Sequence, residues 1–126
     1  MDRWQAQYEF WNGFTLDGET VKAYEENSVP DASDVTFPYI SYQAMTGGFN
    51  GDASVNASIW DRSTSWEKAD RLADAMEAEL ANGGKVVPYT GGLMWFSAGM
   101  PFAQAMGDDS DDMIKRKLLT VTIHFA

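Results

Sequence analysis

Apolar and polar residues alternate along residues 53–60, a pattern that predicts a strand with one buried face. Val55, Ala57 and Ile59 form the apolar set, and serine and asparagine occupy the positions between them. Successive side chains of a strand point to opposite sides, so the apolar set shares one side. We expect this strand to cover a core with one face and to meet water with the other.

The pattern changes to a helical period directly after this strand. We predict a helix over Ser65–Asn82, begun by a capping box of Thr64 and Glu67 and ended by Gly83 and Gly84. Its apolar stripe steps by three and four residues. The stripe consists of Trp66, Ala69, Leu72, Ala73, Met76 and Leu80. A helix stripe and a strand face both need to leave water, so we expect the two to pack together.

A second, shorter helix is predicted over Asp2–Asn12, with Asp2 as its cap and Gly13 at its end. Trp4, Tyr8 and Trp11 share one face of it. The favoured interpretation is that this face docks on the core. The alternative is that some of these aromatic residues contact a neighbouring subunit.

The remaining chain predicts further strands, separated by glycine-rich turns and by a surface loop over residues 26–34. We expect two hairpins, one through the Gly/Asn-rich link before Ala53 and one through Thr90-Gly91-Gly92. Gly99-Met100-Pro101 is expected to interrupt the strand that precedes it. The predicted strands are Thr20–Glu25, Val35–Met45, Lys85–Tyr89, Leu93–Ala98 and Ile114–Ala126. In the last strand the core face is predicted to be Leu119, Val121, Ile123 and Phe125.

These elements predict an α+β fold over residues 1–126 as one domain. The sheet is expected to be mainly antiparallel or mixed. One long amphipathic helix and the short N-terminal helix are expected to pack on it.

The charge balance narrows the function classes. The chain has 19 acidic and 9 basic residues and a formal net charge of −10, so tight binding of phosphates is not expected to be its main task. The chain contains no cysteine, which excludes disulfides, zinc–thiolate sites and thiol catalysis. No apolar run reaches about 18 residues, so no membrane span is expected.

Candidate chemistry is sparse. His124 is the one histidine, and the sequence gives it no recognisable nucleophile and base, so we interpret it as a solvent-facing or hydrogen-bonded strand residue. The acidic turn Asp108–Asp112 invites a calcium interpretation, but Met113 and Leu119 occupy the positions where an EF-hand loop needs glycine and glutamate. We predict no catalytic residue, metal or cofactor. An enzyme that uses dispersed carboxylates with a metal stays open.

Large apolar side chains on connections and on one doubly apolar strand suggest contacts with other subunits. Met94, Trp95 and Phe96 are consecutive, so one face of their strand is available for a partner. The cluster 115–117 is the one dense basic run; it pairs either with the acidic turn before it or with an acidic neighbouring chain. The candidate interface residues are Phe49, Trp95, Phe96, Met100, Phe102, Lys115, Arg116 and Lys117.

The order of these elements resembles that of the tail terminator, or tail-completion, proteins of long-tailed phages (siphoviruses) and prophages of Gram-positive bacteria. Members of this family are also labelled minor capsid or neck proteins. The likeness covers most of the chain and depends on the combination of structural motifs. It is carried by Phe37-Pro-Tyr-Ile-Ser-Tyr-Gln43, Ala57-Ser-Ile-Trp-Asp-Arg-Ser-Thr-Ser-Trp-Glu67, Ala69–Met76, Pro101-Phe-Ala-Gln104 and Lys115–Ile123.

The resemblance implies a structural virion protein that forms a ring, commonly a hexamer. Such a ring sits in the neck at the top of the tail, caps the tail tube and joins it to the head connector, after assembly in the host cytoplasm. The implied partners are other copies of the chain, the tail tube protein and a head-closure protein, while DNA passes through the lumen without specific binding. Two other classes remain open: a head-closure or adaptor protein of the neck, and an unrelated soluble enzyme or binding domain.

Overall fold

A computed structural model describes residues 1–31, 33–45, 51–107 and 111–126. The helices in these ranges are α1 (Arg3–Trp11) and α2 (Glu67–Leu80). The strands are β1 (Thr15–Leu16), β2 (Glu19–Thr20), β3 (Ala23–Glu25), β4 (Tyr39–Tyr42), β5 (Asp52–Arg62), β6 (Lys85–Tyr89), β7 (Gly92–Met106) and β8 (Ile114–Phe125).

Six of the strands form one mixed sheet in the order β3-β4-β5-β8-β7-β6. β3 runs parallel to β4, and every other neighbouring pair in this sheet is antiparallel. β1 and β2 form a separate two-stranded ribbon. The predicted α+β class with a mixed sheet is confirmed, and so are the antiparallel pairings of β4 with β5 and of β6 with β7.

The core lies on one face of this sheet, where both helices pack. α2 contacts β5, β7 and β8, while α1 contacts β3 and β6. The register pairs Val55 with Val121 and Ala57 with Leu119, so the apolar residues of the two central strands share a face. The alternation predicted for both strands is confirmed, because the expected core residues of β5 and β8 are all buried.

The stripe of α2 is buried as predicted over Ala69, Leu72, Ala73, Met76 and Leu80. The end of the helix also agrees with the sequence. Gly83 and Gly84 both have positive φ angles, 84° and 80°, and the Gly84 N–H donates to the Leu80 carbonyl at 3.1 Å.

The predicted start of α2 is wrong. The helix begins at Glu67 with Trp66 at the N-cap position and no hydrogen bond from a cap side chain, so the capping box of Thr64 and Glu67 does not form. Instead the Ser65 Oγ accepts from the Glu67 N–H at 3.1 Å. Trp66 packs partly buried against the core, and this packing outweighs the local cap because a cap contributes only about 1 kcal/mol.

The limits of α1 agree with the prediction, but its buried face does not. Asp2 caps the helix by accepting from the Gln5 N–H at 2.8 Å. Trp11 is buried, whereas Trp4 and Tyr8 are exposed to 46% and 54%. The face that docks on the core consists of Ala6, Gln7, Phe10 and Trp11.

Two amide side chains attach α1 to neighbouring extended segments. The Gln7 Oε1 accepts from the Met45 N–H at 2.7 Å, and the Gln7 Nε2 donates to the Met45 carbonyl at 2.9 Å. Asn12 makes the same two-way contact with the N–H and carbonyl of Ala23, at 3.0 and 3.2 Å. Each amide thus replaces a strand neighbour and satisfies backbone groups that would otherwise need another partner.

The predicted break at Gly99-Met100-Pro101 is wrong, because β7 continues through it. The β7–β8 register passes from Ala98–Val121 to Ala103–Leu119. A β-bulge therefore absorbs the extra residues of β7 while pairing resumes beyond it. A side chain at position 99 would be strained, since a Cβ there would lie 2.9 Å from the Thr120 carbonyl oxygen and 2.7 Å from the Thr120 Cγ2.

The first strands are shorter than the sequence predicted. The expected strand Thr20–Glu25 divides into β2 and β3, and the expected strand Val35–Met45 contracts to β4. Pro38 directly precedes β4, as its missing N–H suggests. The link between β4 and β5 lies largely outside the described residues.

Candidate interaction surface

The sheet face opposite the core carries no helix in the part of the chain that the structure describes; we call it the open face. Its side chains come from the strand positions that alternate with the core residues. Its large members are Tyr39, Trp60, Arg116, Leu118, Trp95 and His124.

One end of the open face is an aromatic and cationic row across three strands. Tyr39 pairs with Trp60 in the β4–β5 register, and Trp60 pairs with Arg116 in the β5–β8 register. The Tyr39 and Trp60 rings stack with centroids 6.4 Å apart and planes 18° apart. The Arg116 guanidinium lies 4.9 Å from the Trp60 ring centroid. Stacking on an aromatic face favours a guanidinium at this position.

Hydrogen bonds hold this row in place. The Trp60 indole N–H donates to the Ser41 Oγ at 2.9 Å. The Arg116 Nε donates to the Ser58 Oγ at 3.0 Å, and Ser58 is itself buried. The serine hydroxyls therefore hold the Trp60 and Arg116 side chains in one orientation, which lowers the conformational entropy lost when a partner binds to them.

A groove of about 440 Å³ surrounds this row; we call it the Arg116 groove. Its floor is formed by open-face residues of β4, β5 and β8, and part of its wall comes from the segment after β3. The residues that matter for binding are Glu26, Gln43, Tyr39, Asn56, Trp60, Arg116 and Leu118.

The groove offers aromatic surface, hydrogen-bonding groups, the Arg116 guanidinium and the Glu26 carboxylate. Burial, and then the neighbouring Tyr24, raises the pKa of Tyr39 above its usual 10.0, and its phenol can donate or accept a hydrogen bond. The amides of Gln43 and Asn56 supply donors and acceptors. Chemically, this combination suits a group that carries a carboxylate on a polar or aromatic stem.

The structure separates the basic cluster between the two faces of the sheet. Lys117 forms an ion pair with Asp70 of α2 at 2.7 Å. Lys115 donates to the Asp112 carbonyl, and both ammonium groups lie about 6 Å from the Trp66 ring centroid (5.8 and 5.9 Å). Strand alternation leaves Arg116 as the member on the open face. Lys115 therefore contacts the predicted acidic turn at a backbone carbonyl, while Lys117 pairs with the helix.

The other end of the open face carries a second row across four strands. Val86, Trp95, His124 and Asp52 are successive register partners in β6, β7, β8 and β5. His124 Nδ1 is hydrogen-bonded to the Asp52 carboxylate, which agrees with the prediction of a hydrogen-bonded strand histidine. The Trp95 and His124 rings meet edge to face at 6.3 Å.

The five apolar residues predicted for an interface fall into three groups. Trp95 and Met100 are exposed to 44% and 97%. Phe96 and Phe102 are buried, so in this chain their side chains contribute to the core and leave no surface for a neighbour. Phe49 lies outside the described residues.

Tyr39 and Trp60 were not predicted to belong to a site. The signal was present, because Trp60 follows Ile59 in an alternating strand and therefore belongs to the wet face. What the sequence did not contain was the β4–β5–β8 register that brings Tyr39, Trp60 and Arg116 together.

Within the described ranges, no group of three or more histidine, aspartate or glutamate side chains could hold a metal ion. Asp108, Asp109 and Ser110 of the acidic turn lie outside those ranges, while Asp111 pairs with Arg62 at 2.7 Å. Neither described helix is long and apolar enough to cross a membrane.

Comparison with known proteins gave no further assignment: no family model, curated protein or solved structure matches the chain.

Proposed function

We propose that this chain is the subunit of a ring, a hexamer in the family that it resembles, which caps the tail tube of a long-tailed phage and joins the tail to the head connector. The observation that supports an assembly role best is the open face. One side of the sheet is covered by α1 and α2, while the other presents aromatic residues and a fixed arginine, which are the residue types enriched in protein interfaces.

The exposed apolar residues support the same role. Trp95 is 44% exposed on the open face, and Met100 is 97% exposed at the β7 bulge. Exposed groups of large apolar side chains commonly mark protein interaction sites. In the proposed ring, α2 is the long amphipathic helix that covers the sheet of each subunit, and the open face is left for contacts.

The negative charge fits the passage of DNA. A net charge of −10 disfavours tight binding to phosphates, so a lumen lined by such subunits lets DNA slide. The protein would act in the neck of the virion, after assembly in the host cytoplasm. No catalytic residue, metal or cofactor takes part in this role.

Native mass spectrometry and electron microscopy of the purified chain, alone and with tail tubes, test this function. We expect closed rings, and rings seated on the upper end of the tubes. Exclusively monomeric protein in both samples would contradict the proposal. Rings that bind the portal side and ignore tail tubes would favour the alternative, a head-closure or adaptor protein.

The Arg116 groove favours a second candidate, a monomeric binding domain for a small ligand. Its volume of about 440 Å³ lies within the usual range for small-molecule sites, about 300–1,000 Å³. The same mass measurement separates the two functions, because a binding domain stays monomeric when tail tubes are added.

A further inference from the structure

We propose, on the basis of the ring proposed above, that the Arg116 groove is the docking site for a second copy of this chain, which inserts a carboxylate from the outer side of its α2. The contact joins two different surfaces of the subunit. It assigns Arg116 to the interface and leaves Lys115 and Lys117 out of it.

Arg116 is held in place, but its guanidinium has no carboxylate partner within the described residues. Its Nε donates to Ser58 and its guanidinium stacks on Trp60, while no carboxylate within the described residues forms an ion pair with it. The N–H groups on its two Nη nitrogens have the geometry for bidentate binding of a carboxylate. The two lysines beside it in sequence differ, since Lys117 is bound to Asp70 and Lys115 to the Asp112 carbonyl.

Helix α2 carries three exposed carboxylates that form no ion pair within the described residues. Glu67 and Asp70 form ion pairs with Arg71 and Lys117. The other three acids of this helix are exposed and form no ion pair within the described residues. These are Asp74, Glu77 and Glu79.

Helix α2 and the Arg116 groove lie on opposite faces of the sheet. α2 packs on the core face of the sheet, and the Arg116 groove opens on the other face. A subunit therefore cannot bring its own α2 acids to its own groove. A contact between unlike surfaces of two copies is heterologous, and repeated contacts of this kind close into a ring when the rotation per subunit allows it.

The groove favours a protein side chain over free solute carboxylate because its walls add contact area. Tyr39, Trp60 and Leu118 flank the guanidinium, and a partly desolvated arginine among aromatic residues is typical of interface hot spots.

Two chains of net charge −10 repel at long range. At about 0.15 M ionic strength the Debye length is only about 8 Å, so the short-range contact persists while the repulsion is screened.

The test uses charge reversal in the full-length chain, with tail tubes as the assembly template. Arg116→Glu should weaken association about tenfold or more, and so should the triple variant Asp74→Lys, Glu77→Lys, Glu79→Lys. Mixed in equal amounts, the two variants should recover rings, because each supplies the surface that the other has lost. Lys22→Glu, an exposed change of the same charge, is the matched control, and circular dichroism checks that every variant is folded.

A second measurement identifies the contact directly. Arg116→Lys subunits labelled with ¹⁵N are mixed with unlabelled ones and treated with a carbodiimide, which joins an amine to a carboxylate that touches it. Mass spectrometry should find residue 116 joined to residue 74, 77 or 79 of another copy.

The outcomes separate this inference from the ring itself. If both the wild type and Arg116→Glu form rings, and the cross-links do not join residue 116 to α2, the groove contact is refuted while the ring function stands. Cross-links from 116 to α2 in open chains of subunits support the contact and count against the ring. If the wild type neither forms rings nor gives such cross-links, both proposals fail.

Discussion

The ring of Phe10 in α1 stacks on the ring of Phe96 in β7, with centroids 3.8 Å apart and planes only 4° apart. Both side chains are essentially inaccessible to solvent. Phe10 also meets Trp11 and Phe14 edge to face. This aromatic cluster fixes the N-terminal helix on the sheet and explains why Phe96 is absent from the surface.

Stability should therefore distinguish two neighbouring aromatic residues of β7. Phe96→Ala is expected to lower the free energy of unfolding by about 3–5 kcal/mol, because it leaves a cavity under Phe10. Trp95→Ala, one residue earlier, removes a half-exposed side chain and its indole hydrogen bond to the Gly83 carbonyl, so we expect a clearly smaller loss. Urea unfolding measures both. Equal losses would show that the two faces of β7 are assigned incorrectly.

The sequence predicted the buried face correctly wherever one hydrophobic period, that of a strand or of a helix, ran through a long element. Val55, Ala57 and Ile59, and Leu119 to Phe125 at alternate positions, are buried because a strand has only two faces and one of them is apolar. The stripe of α2 follows equally directly from the helical period. In these elements local pattern and tertiary packing agree.

The sequence did not predict the buried face of short elements or the pairing of strands that are distant in the chain. In α1 the nine residues carry aromatic side chains on several sides, and the face predicted for the core, with Trp4 and Tyr8, is exposed while Phe10 is buried. In β7 the alternation separated Trp95 from Phe96 but did not show which of the two faces the core, and it did not contain the shift of the β7–β8 register between Ala98 and Ala103. The Arg116 groove needed the order β4-β5-β8, which no local pattern contains.

Met76 tests the packing of α2. Its side chain is fully buried, so Met76→Asp places an unpaired charge in the core and should destabilise the protein severely or prevent folding. Ala75→Asp is the matched control, because it introduces the same residue at the neighbouring exposed position of α2. Thermal melts followed by circular dichroism measure the difference. An unchanged melting temperature for Met76→Asp would refute the face assigned to this helix.

Alkaline pH should weaken the fold through Tyr39 and Tyr42. Burial raises the pKa of both phenols above 10.0, with Tyr24 adding to the shift of Tyr39 and Glu25 and Tyr8 to that of Tyr42. Above the unfolded pKa, the unfolded chain releases these protons more readily than the folded one, so the free energy of unfolding falls as pH rises through the folded pKa.

Urea unfolding at about pH 8 and about pH 11 measures this loss, with tyrosinate absorbance as the reporter of ionisation. Tyr39→Phe removes one of the two groups and should reduce the loss relative to the wild type. If Tyr39→Phe and Tyr42→Phe each lose as much free energy of unfolding as the wild type does, the alkaline transition belongs to other groups.

His124 tests whether the chain has hidden chemistry. His124→Ala removes the hydrogen bond to Asp52 and the edge contact with Trp95. Both lie on the surface, so the change in unfolding free energy should stay within about 1 kcal/mol, and infectious particles should assemble nearly normally. Lost infectivity together with normal rings and normal stability would instead indicate a chemical role for the imidazole.

Removal of exposed aromatic side chains should separate assembly from folding. We predicted from the sequence that Phe49 and Trp95 anchor a neighbouring subunit, and Trp95 is in fact 44% exposed on the open face. Aromatic anchors at the centre of an interface carry most of its energy. Phe49→Ser combined with Trp95→Ser should therefore give tails without a cap and heads that are not joined to them, as seen by electron microscopy of the neck.

Trp95→Phe is the control that makes this last experiment specific. It keeps an apolar ring but cannot donate to the Gly83 carbonyl, which accepts from the Trp95 indole. If the surface area of residue 95 matters, Trp95→Phe assembles nearly as the wild type does, while the double serine variant fails to assemble although circular dichroism shows that it is folded at the assembly temperature. If Trp95→Phe fails as well and melts earlier, the indole acts by holding β7 to the turn after α2. Normal necks in the double serine variant would remove Trp95 and Phe49 from the interface.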